Sequence, residues 1–437
     1  MTSTFAQRRE ALRAQMNGGV AVIPAAPHQI RSNDTQYDYR QSSDLHYLTA
    51  WPEPEAVLVL TSVPEPRTVL FVLPLDRALE IWNGRRVGVD GAKERYGADE
   101  AYPIGELSTR LPDLLAGHER LWYTLGENET LDRTVLDAVR ALRRQARKGV
   151  VAPIEFHDPR IPLAEMRLIK EPEEIEILRR AAAITREGFL AGMRNTRPGI
   201  GEYAVEARME YEYAVRGAQA VAYPSICGAG HNATILHYNT NRDDLADGTL
   251  LLVDSACELD VYATDVTRTW PVNGKYSAEQ RAIYDIVLRA QRAGIEAVKP
   301  GNSFRTYHEA AVRVVTEGLV DVGLLAGNVD TLIEQEKFFD FFMHNTGHWL
   351  GLDVHDVGAY KIGGEWRTLE PGMALTVEPG IYIHADLDVP ERWKGIGVRI
   401  EDDIIVTRDG CENLTASIPR EIDEIEALVG ADVSTRA

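Results

Sequence analysis

The stretch Leu250-Leu-Leu-Val-Asp254-Ser-Ala-Cys-Glu-Leu-Asp-Val-Tyr262-Ala-Thr-Asp265-Val-Thr-Arg-Thr269 reads as strand, turn, strand. The run Leu250–Val253 is apolar without alternation, which marks a strand covered on both faces. With Leu259-Asp260 as a two-residue turn, Asp254 and Asp265 become direct cross-strand partners, their Cβ atoms about 5 Å apart. Two like charges so placed repel unless something positive lies between them. The alternative is that one aspartate belongs to the turn and the other faces solvent.

Working outward, three more acid or imidazole signals follow the hairpin. The segment Met343-His344-Asn-Thr-Gly347-His348-Trp-Leu-Gly351-Leu-Asp-Val-His355-Asp356 packs His344, His348 and His355 into a short glycine-bearing stretch. A lone histidine on an apolar face is more often a core residue than a ligand, but three together point to a site. Neutral imidazole suits transition metals, and spacing alone leaves open which of the three binds. In Leu375-Thr-Val-Glu378-Pro-Gly380-Ile-Tyr382, a glutamate ends an apolar strand at a tight turn. In Gly395-Ile-Gly397-Val-Arg399-Ile-Glu401-Asp402-Asp403, Arg399 and Glu401 share one face at period two.

Burying an unpaired carboxylate costs several kcal/mol. Asp254, Asp265, Glu378 and Glu401 carry four negative charges, which two divalent ions neutralise. Oxygen-rich ligation with one histidine suits Mn²⁺, Co²⁺ or Zn²⁺. Two such ions about 3.5–4 Å apart lower the pKa of a shared water towards about 7 and polarise a carbonyl, so the pattern points to hydrolysis.

The rest of the chain is ordinary for a folded enzyme. It has 437 residues, 44% hydrophobic and 26% charged, enough for two domains. With 47 basic and 67 acidic residues the net charge is -20, which repels phosphate backbones and argues against nucleic-acid binding. The cysteines are Cys227, Cys257 and Cys411; an odd, unpaired set fits a reducing compartment. The first residues lack the apolar core of a signal peptide. No run of about 18 apolar residues suggests a membrane span. The expected location is the cytoplasm.

From about residue 6 to 160, apolar runs at Val20–Ile23, Ala56–Leu60, Val69–Leu73 and Leu121–Leu125 alternate with helical patterns such as Leu131–Arg147. That predicts a small α/β domain. Pro153 to Leu168 carries Pro153, Pro159 and Pro162 without a period and reads as a linker. A helix is expected from Pro172 to just before Pro198, a second over Tyr203–Arg216 and a third from Ser277, capped by Gln280, to Lys299. The second half therefore reads as α+β, helices covering an antiparallel sheet. The expected domains are 1–165 and 166–437.

Five blocks resemble aminopeptidase P, the Xaa-Pro aminopeptidase branch of the pita-bread metallopeptidases. They are Ile235-Leu-His237-Tyr, Asp254 to Asp265-Val-Thr-Arg-Thr, His348 to His355-Asp, Val377-Glu378-Pro-Gly and Gly397-Val-Arg-Ile-Glu401-Asp-Asp. The likeness extends to Tyr39-Arg-Gln-Ser-Ser-Asp44, Pro52-Glu-Pro-Glu-Ala-Val-Leu and Ile81-Trp82-Asn-Gly-Arg-Arg86, so it spans nearly the whole chain. It implies a pita-bread catalytic domain behind an aminopeptidase P type N-terminal domain. It also implies two divalent ions, Mn²⁺ foremost, and attack by a hydroxide bridging them. Asp265 and Glu401 would bridge both ions, Asp254 bind one, and His348 and Glu378 the other. Glu378 would also move the proton. His355 would hold the oxyanion, His237 and His344 would line the site, and Arg399 with Tyr382 would fix the proline side. The substrate would be a peptide with proline second. A homo-oligomer is implied, a tetramer ahead of a dimer, with Asp34 and Trp82 reaching a neighbouring subunit's site. Two departures bear on specificity: Asn345-Thr346-Gly347 follows His344, and the loop Lys361–Thr368 differs in length, which leaves Arg367 without an assigned role.

An Xaa-Pro bond is a tertiary amide without an N–H, so it needs a dedicated pocket. The nearest rival is prolidase, which shares the ligands but takes Xaa-Pro dipeptides and must hold a free carboxylate. Methionine aminopeptidase shares them without needing this N-terminal domain. A non-catalytic pita-bread binding module, or metal-free creatinase-like hydrolysis, would not keep all five ligands.

Overall fold

The computed structural model describes residues 2–431. The chain divides into two compact units, Met1–Met166 and Arg167–Ala437.

The first unit is built on a six-stranded mixed sheet. Its strands run in the order Glu100–Pro103, Arg67–Val72, Val57–Thr61, Val20–Pro24, Arg120–Trp122 and Glu155–His157. The inner three pair antiparallel. The outer pairings are parallel, and parallel neighbours need crossover segments. The helix Glu129–Arg143 supplies one of these crossovers. Its face of Val135, Val139 and Leu142 packs with Leu111 and Leu115 of a second helix onto Val22, Val59 and Val69. The expected linker is not one. Pro153 to Leu168 contains the edge strand Glu155–His157 and the helix Arg160–Leu168. The strand is too short to show a period. Pro162 falls in the first helical turn, where its missing N–H has no partner to lose.

The second unit twice repeats the order helix, helix, strands. Pro172–Asn195 and Glu202–Val215 precede the strands between residues 226 and 271. Ala278–Ala297 and Phe304–Asp321 precede those between 374 and 413. Both leading helices start where the sequence indicates. Ser277 and Gln280 form a capping box, and the Glu171 backbone N–H donates to the Glu174 carboxylate at 2.9 Å. The sheets are antiparallel throughout. Leu250–Asp254 lies between Ile226–Ala229 and Thr267–Pro271; Asp402–Val406 lies between Ala374–Val377 and Cys411–Asn413; Gly380–Ile383 pairs with Ile396–Arg399. Among the described residues no helix is long and apolar enough to cross a membrane.

The hairpin differs in register from the sequence expectation. Its turn is Asp260-Val261, both residues with positive φ (50° and 70°), so Leu259 pairs with Tyr262 and Asp254 with Thr267. Asp265 lies one pleat repeat along from Thr267, diagonal to Asp254 rather than opposite it. The partner has slipped by two residues, and a slip of two keeps every side chain on its own face. Both aspartates therefore still point the same way.

Candidate metal centre

Each site residue is fixed by its strand or loop. Asp254 ends a wholly buried strand. Thr267–Pro271 carries the hairpin across to the other set of strands: the Glu401 N–H donates to the Thr267 carbonyl at 3.0 Å, and the Arg268 guanidinium donates to the Glu401 carbonyl at 2.6 Å. The loop with His348 lies flush on the strand Ala374–Val377. The Thr376 N–H donates to the His348 carbonyl, and the Leu350 N–H to that of Ala374 (both 3.0 Å). Gly347 makes this possible, because a Cβ there would sit 2.0 Å from the Thr376 carbonyl oxygen. The Glu378 N–H donates to the Thr346 carbonyl at 2.9 Å, pinning the turn that presents its carboxylate.

The result is one cleft of about 560 Å³ lined by His237, Asp254, Asp265, His344, His348, His355, Glu378, Arg399 and Glu401. Ligand atoms of Asp265, His348 and Glu401 all lie within 4.8 Å of one another. His348 Nε2 is 3.3 Å from Asp265 and 3.7 Å from Glu378. Its Nδ1–H donates to the Trp349 carbonyl at 2.9 Å, which fixes the tautomer and leaves Nε2 as the ligand atom. Asp254 accepts from Tyr223 and from Arg399 Nη2, each at 2.6 Å. Glu401 accepts from the Thr267 hydroxyl at 2.6 Å.

A second chain of hydrogen bonds runs behind the cleft. Arg399 Nη1 donates to the Tyr382 oxygen at 2.9 Å. The Tyr382 hydroxyl is then free to donate to His344 Nε2, also at 2.9 Å. His344 Nδ1–H donates to the Asn345 carbonyl at 2.7 Å. Tyr382 is thus fully buried and acts on the cleft through its neighbours. Asp34 and Trp82 lie on the N-terminal unit, both exposed (Trp82 by 84%). Arg367 is buried and 3.7 Å from Glu370.

The charges explain what the cleft can hold. Burial pushes the carboxyls of Asp254, Glu378 and Glu401 above their ordinary range, and the neighbouring acids push them further. Arg399 opposes this at all three, and His348 opposes it at Glu378, whose pKa rises to about 7. For His348 burial works against the cation, but Asp265 and Glu378 outweigh it and raise the pKa to about 9. His344 goes the other way, to about 3, through burial and then Arg399. Burial followed by His348 also lowers His355. Converging acids that repel one another, beside an imidazole whose Nε2 faces them and can give up its proton to a cation, are a donor set of the kind divalent cations take. Asp265, His348 and Glu401 converge most tightly, and Asp254 and Glu378 bring further carboxylate donors to the same cleft.

Sequence reading missed Tyr223, which holds Asp254, and Phe304, Tyr360 and Trp366, which form an aromatic wall. The Phe304 and Trp366 rings lie stacked, 6.3 Å apart. Thr267 and Tyr262 stood inside a quoted motif without a role.

Residues 176–408 match metallopeptidase family M24, more than half of the chain. The chain belongs to this family. Residues 5–123 match the N-terminal domain of aminopeptidase P. The M24 chain is 46% identical over 430 residues to the Xaa-Pro aminopeptidase of Escherichia coli K12, covering 98% of this chain and 97% of that protein. To human Xaa-Pro aminopeptidase 3 it is 34% identical over 422 residues, covering 93% and 80%. Among solved structures, Pseudomonas aeruginosa aminopeptidase PepP matches with a TM-score of 0.97 at 48% identity, covering 100% of this chain and 99% of that one. Zinc-substituted E. coli aminopeptidase P in complex with product matches with a TM-score of 0.95 at 46% identity, covering 98% of each chain. The pita-bread catalytic fold behind an aminopeptidase P type N-terminal domain is the architecture these matches share with this M24 chain, and the cleft is its divalent-metal site.

Proposed function

We propose that this chain is an Xaa-Pro aminopeptidase, hydrolysing the bond between an N-terminal residue and a following proline. The observation that carries the reading is the single cleft that brings Glu378, 3.7 Å from the His348 ligand atom, together with Asp254, Asp265 and Glu401.

Asp265 and Glu401 would hold two divalent ions between them, with Asp254 completing one position and His348 and Glu378 the other. Mn²⁺ is the first candidate, and Co²⁺ or Zn²⁺ suit the same donors. When bound, such ions lower the pKa of a water towards about 7 and polarise the scissile carbonyl. Glu378 takes a proton from the attacking water and delivers it to the leaving proline nitrogen. His355 donates to the oxygen on which charge develops. His344 stays neutral, so with His237 it forms a wall that tolerates an apolar ring. Arg399, tied to Asp254 and Tyr382, is a fixed cation whose position does not depend on substrate. Because the leaving nitrogen is tertiary, it brings no N–H to the site and must be recognised by shape.

The three free thiols fit a reducing cytoplasm. A homo-oligomer, tetramer first, is supported by the exposed apolar helix bearing Leu79, Ile81 and Trp82; Asp34 and Trp82 would then serve a neighbouring copy. The test is chelation, reconstitution with Mn²⁺, Co²⁺ or Zn²⁺ singly, and parallel rates on an Xaa-Pro dipeptide and an Xaa-Pro-Yaa tripeptide. The tripeptide should be the better substrate. Preference for the dipeptide would make the chain a prolidase instead.

A further inference from the structure

His355 presents an unusual problem of aim. Its ring is exposed and meets His348 edge to face at 4.3 Å between centroids. No side-chain hydrogen bond holds that ring among the described residues, so its direction is set by the backbone that carries it. That backbone is tied down on both sides. Asp356 is buried and receives Arg167 at 2.5 Å and Lys170 at 2.8 Å. All three side chains are almost wholly excluded from water, at 3% exposed or less. The same Arg167 nitrogen reaches Asp353 at 2.7 Å, so one guanidinium holds the carboxylates on either side of His355.

The loop is shaped around this ion cluster. A Cβ at Gly351 would lie 2.2 Å from Asp356 Oδ2 and 2.9 Å from Lys170 Cε, so only glycine leaves room for the pair. The Asp356 N–H closes the loop onto the Trp349 carbonyl at 2.9 Å, and the Ala263 N–H joins it to the metal-bearing hairpin through the Gly351 carbonyl at 2.8 Å. Burial opposes the Asp356 carboxylate, but Lys170 and Arg167 outweigh it and hold its pKa below the usual range. A buried charged triad is seldom a net gain in stability over apolar packing. What it does supply is one fixed geometry.

We propose that Arg167 and Lys170 are positioning residues for His355, clamping Asp353 and Asp356 so that the ring meets the developing oxyanion. This rests on the role given to His355 above. Misplacing a reacting group by about 1 Å costs on the order of 100-fold in rate. Asp356→Asn should therefore lower kcat by about 10- to 100-fold, with KM changed less than about twofold and metal content unchanged.

The deciding experiment is a double-mutant cycle with His355→Ala on an Xaa-Pro-Yaa tripeptide, with metal content and Tm measured for each protein. If the clamp acts through His355, Asp356→Asn adds less than about twofold once His355 is gone. Equal losses in both backgrounds would overturn the proposal while leaving His355 its role. A His355→Ala enzyme at the wild-type rate would overturn both. Should Asp356→Asn fail to fold, Asp353→Ala runs the same cycle, since that carboxylate is already 38% exposed. Lys170→Arg should restore most of the rate that Lys170→Met loses; equal activity of the two would count against the clamp.

Discussion

Glu378 is where burial, charge and position meet in one side chain. Glu378→Ala should cut kcat by at least about 10²-fold, the usual weight of a proton-transfer group. Asp265→Ala should lose turnover together with bound metal, because Asp265 belongs to the tight three-ligand group. Both are ligands in this reading, so metal analysis beside steady-state rates shows how much of each loss follows the metal, and Glu378→Ala should stay slow even when reloaded with Mn²⁺ in excess. His308 gives a prediction of another kind. It is buried, and its Nδ1 accepts from the Thr346 N–H at 3.2 Å. Burial, helped by Arg305, lowers its pKa from 6.5 to about 4. The unfolded chain takes up the proton first as pH falls. His308 therefore contributes its full stability above pH 6.5 and loses it progressively down to about 4, up to about 3 kcal/mol over that window. Urea midpoints at pH 7 and pH 4.5 should fall less in His308→Gln than in wild type. The metal-site acids were legible residue by residue, because a carboxylate in an apolar strand is too costly to bury without a cation or a basic partner beside it. Tyr223, Tyr360 and Trp366 were not, because an aromatic in sequence looks the same whether it fills a core or walls a cleft. Nor was the Arg167–Asp356 bond, made across 189 positions.

Among elements, the hairpin shows what pattern can and cannot fix. Alternation set which face Asp254 and Asp265 share, and that face is correct. The turn position was misjudged by one residue because Asp260-Val261 lacks the glycine or asparagine that usually marks a left-handed turn. The segment from Pro153 to Leu168 failed for a related reason. Prolines were read as breaks, and the edge strand Glu155–His157 is too short to outvote them. Close approach between elements is the more exacting constraint. A Cβ on Gly397 would stand 2.1 Å from the Ala233 carbonyl oxygen, backbone against a strand with no flexible side chain to yield. Gly397→Ala should therefore destabilise by about 1–3 kcal/mol, seen as a lower urea midpoint, and should slow turnover through its neighbour Arg399. An unchanged midpoint would show that the two elements can part without cost.

At the scale of the molecule, the acids of the cleft are held together by the fold against their own repulsion. Chelation should lower Tm, and restoring Mn²⁺ should raise it with concentration, the folded state gaining about 2.7 kcal/mol per site at one hundred times Kd. A Tm indifferent to metal would mean that the cations do not offset that repulsion. The two-unit architecture and three of the second unit's long helices were visible in the sequence, since capped helices and apolar strands announce themselves; the helix Phe304–Asp321, which completes the second helix pair, was not. The way the two sets of strands join was not, since it depends on pairings such as Thr267 with Glu401 that no local period encodes.

That pairing has a consequence for how the enzyme comes into being. Asp254 and Asp265 are made early, His348 and Glu378 later, and Glu401 last, docking back onto Thr267 through the backbone. A growing chain that has not yet reached residue 401 carries a set of mutually repelling acids and no complete centre. Long-range docking of this kind is also the slow part of folding. Metal capture should thus come late in biogenesis. During refolding, Co²⁺ absorbance should appear after the tryptophan signal has recovered, which makes the ion a witness to finished assembly.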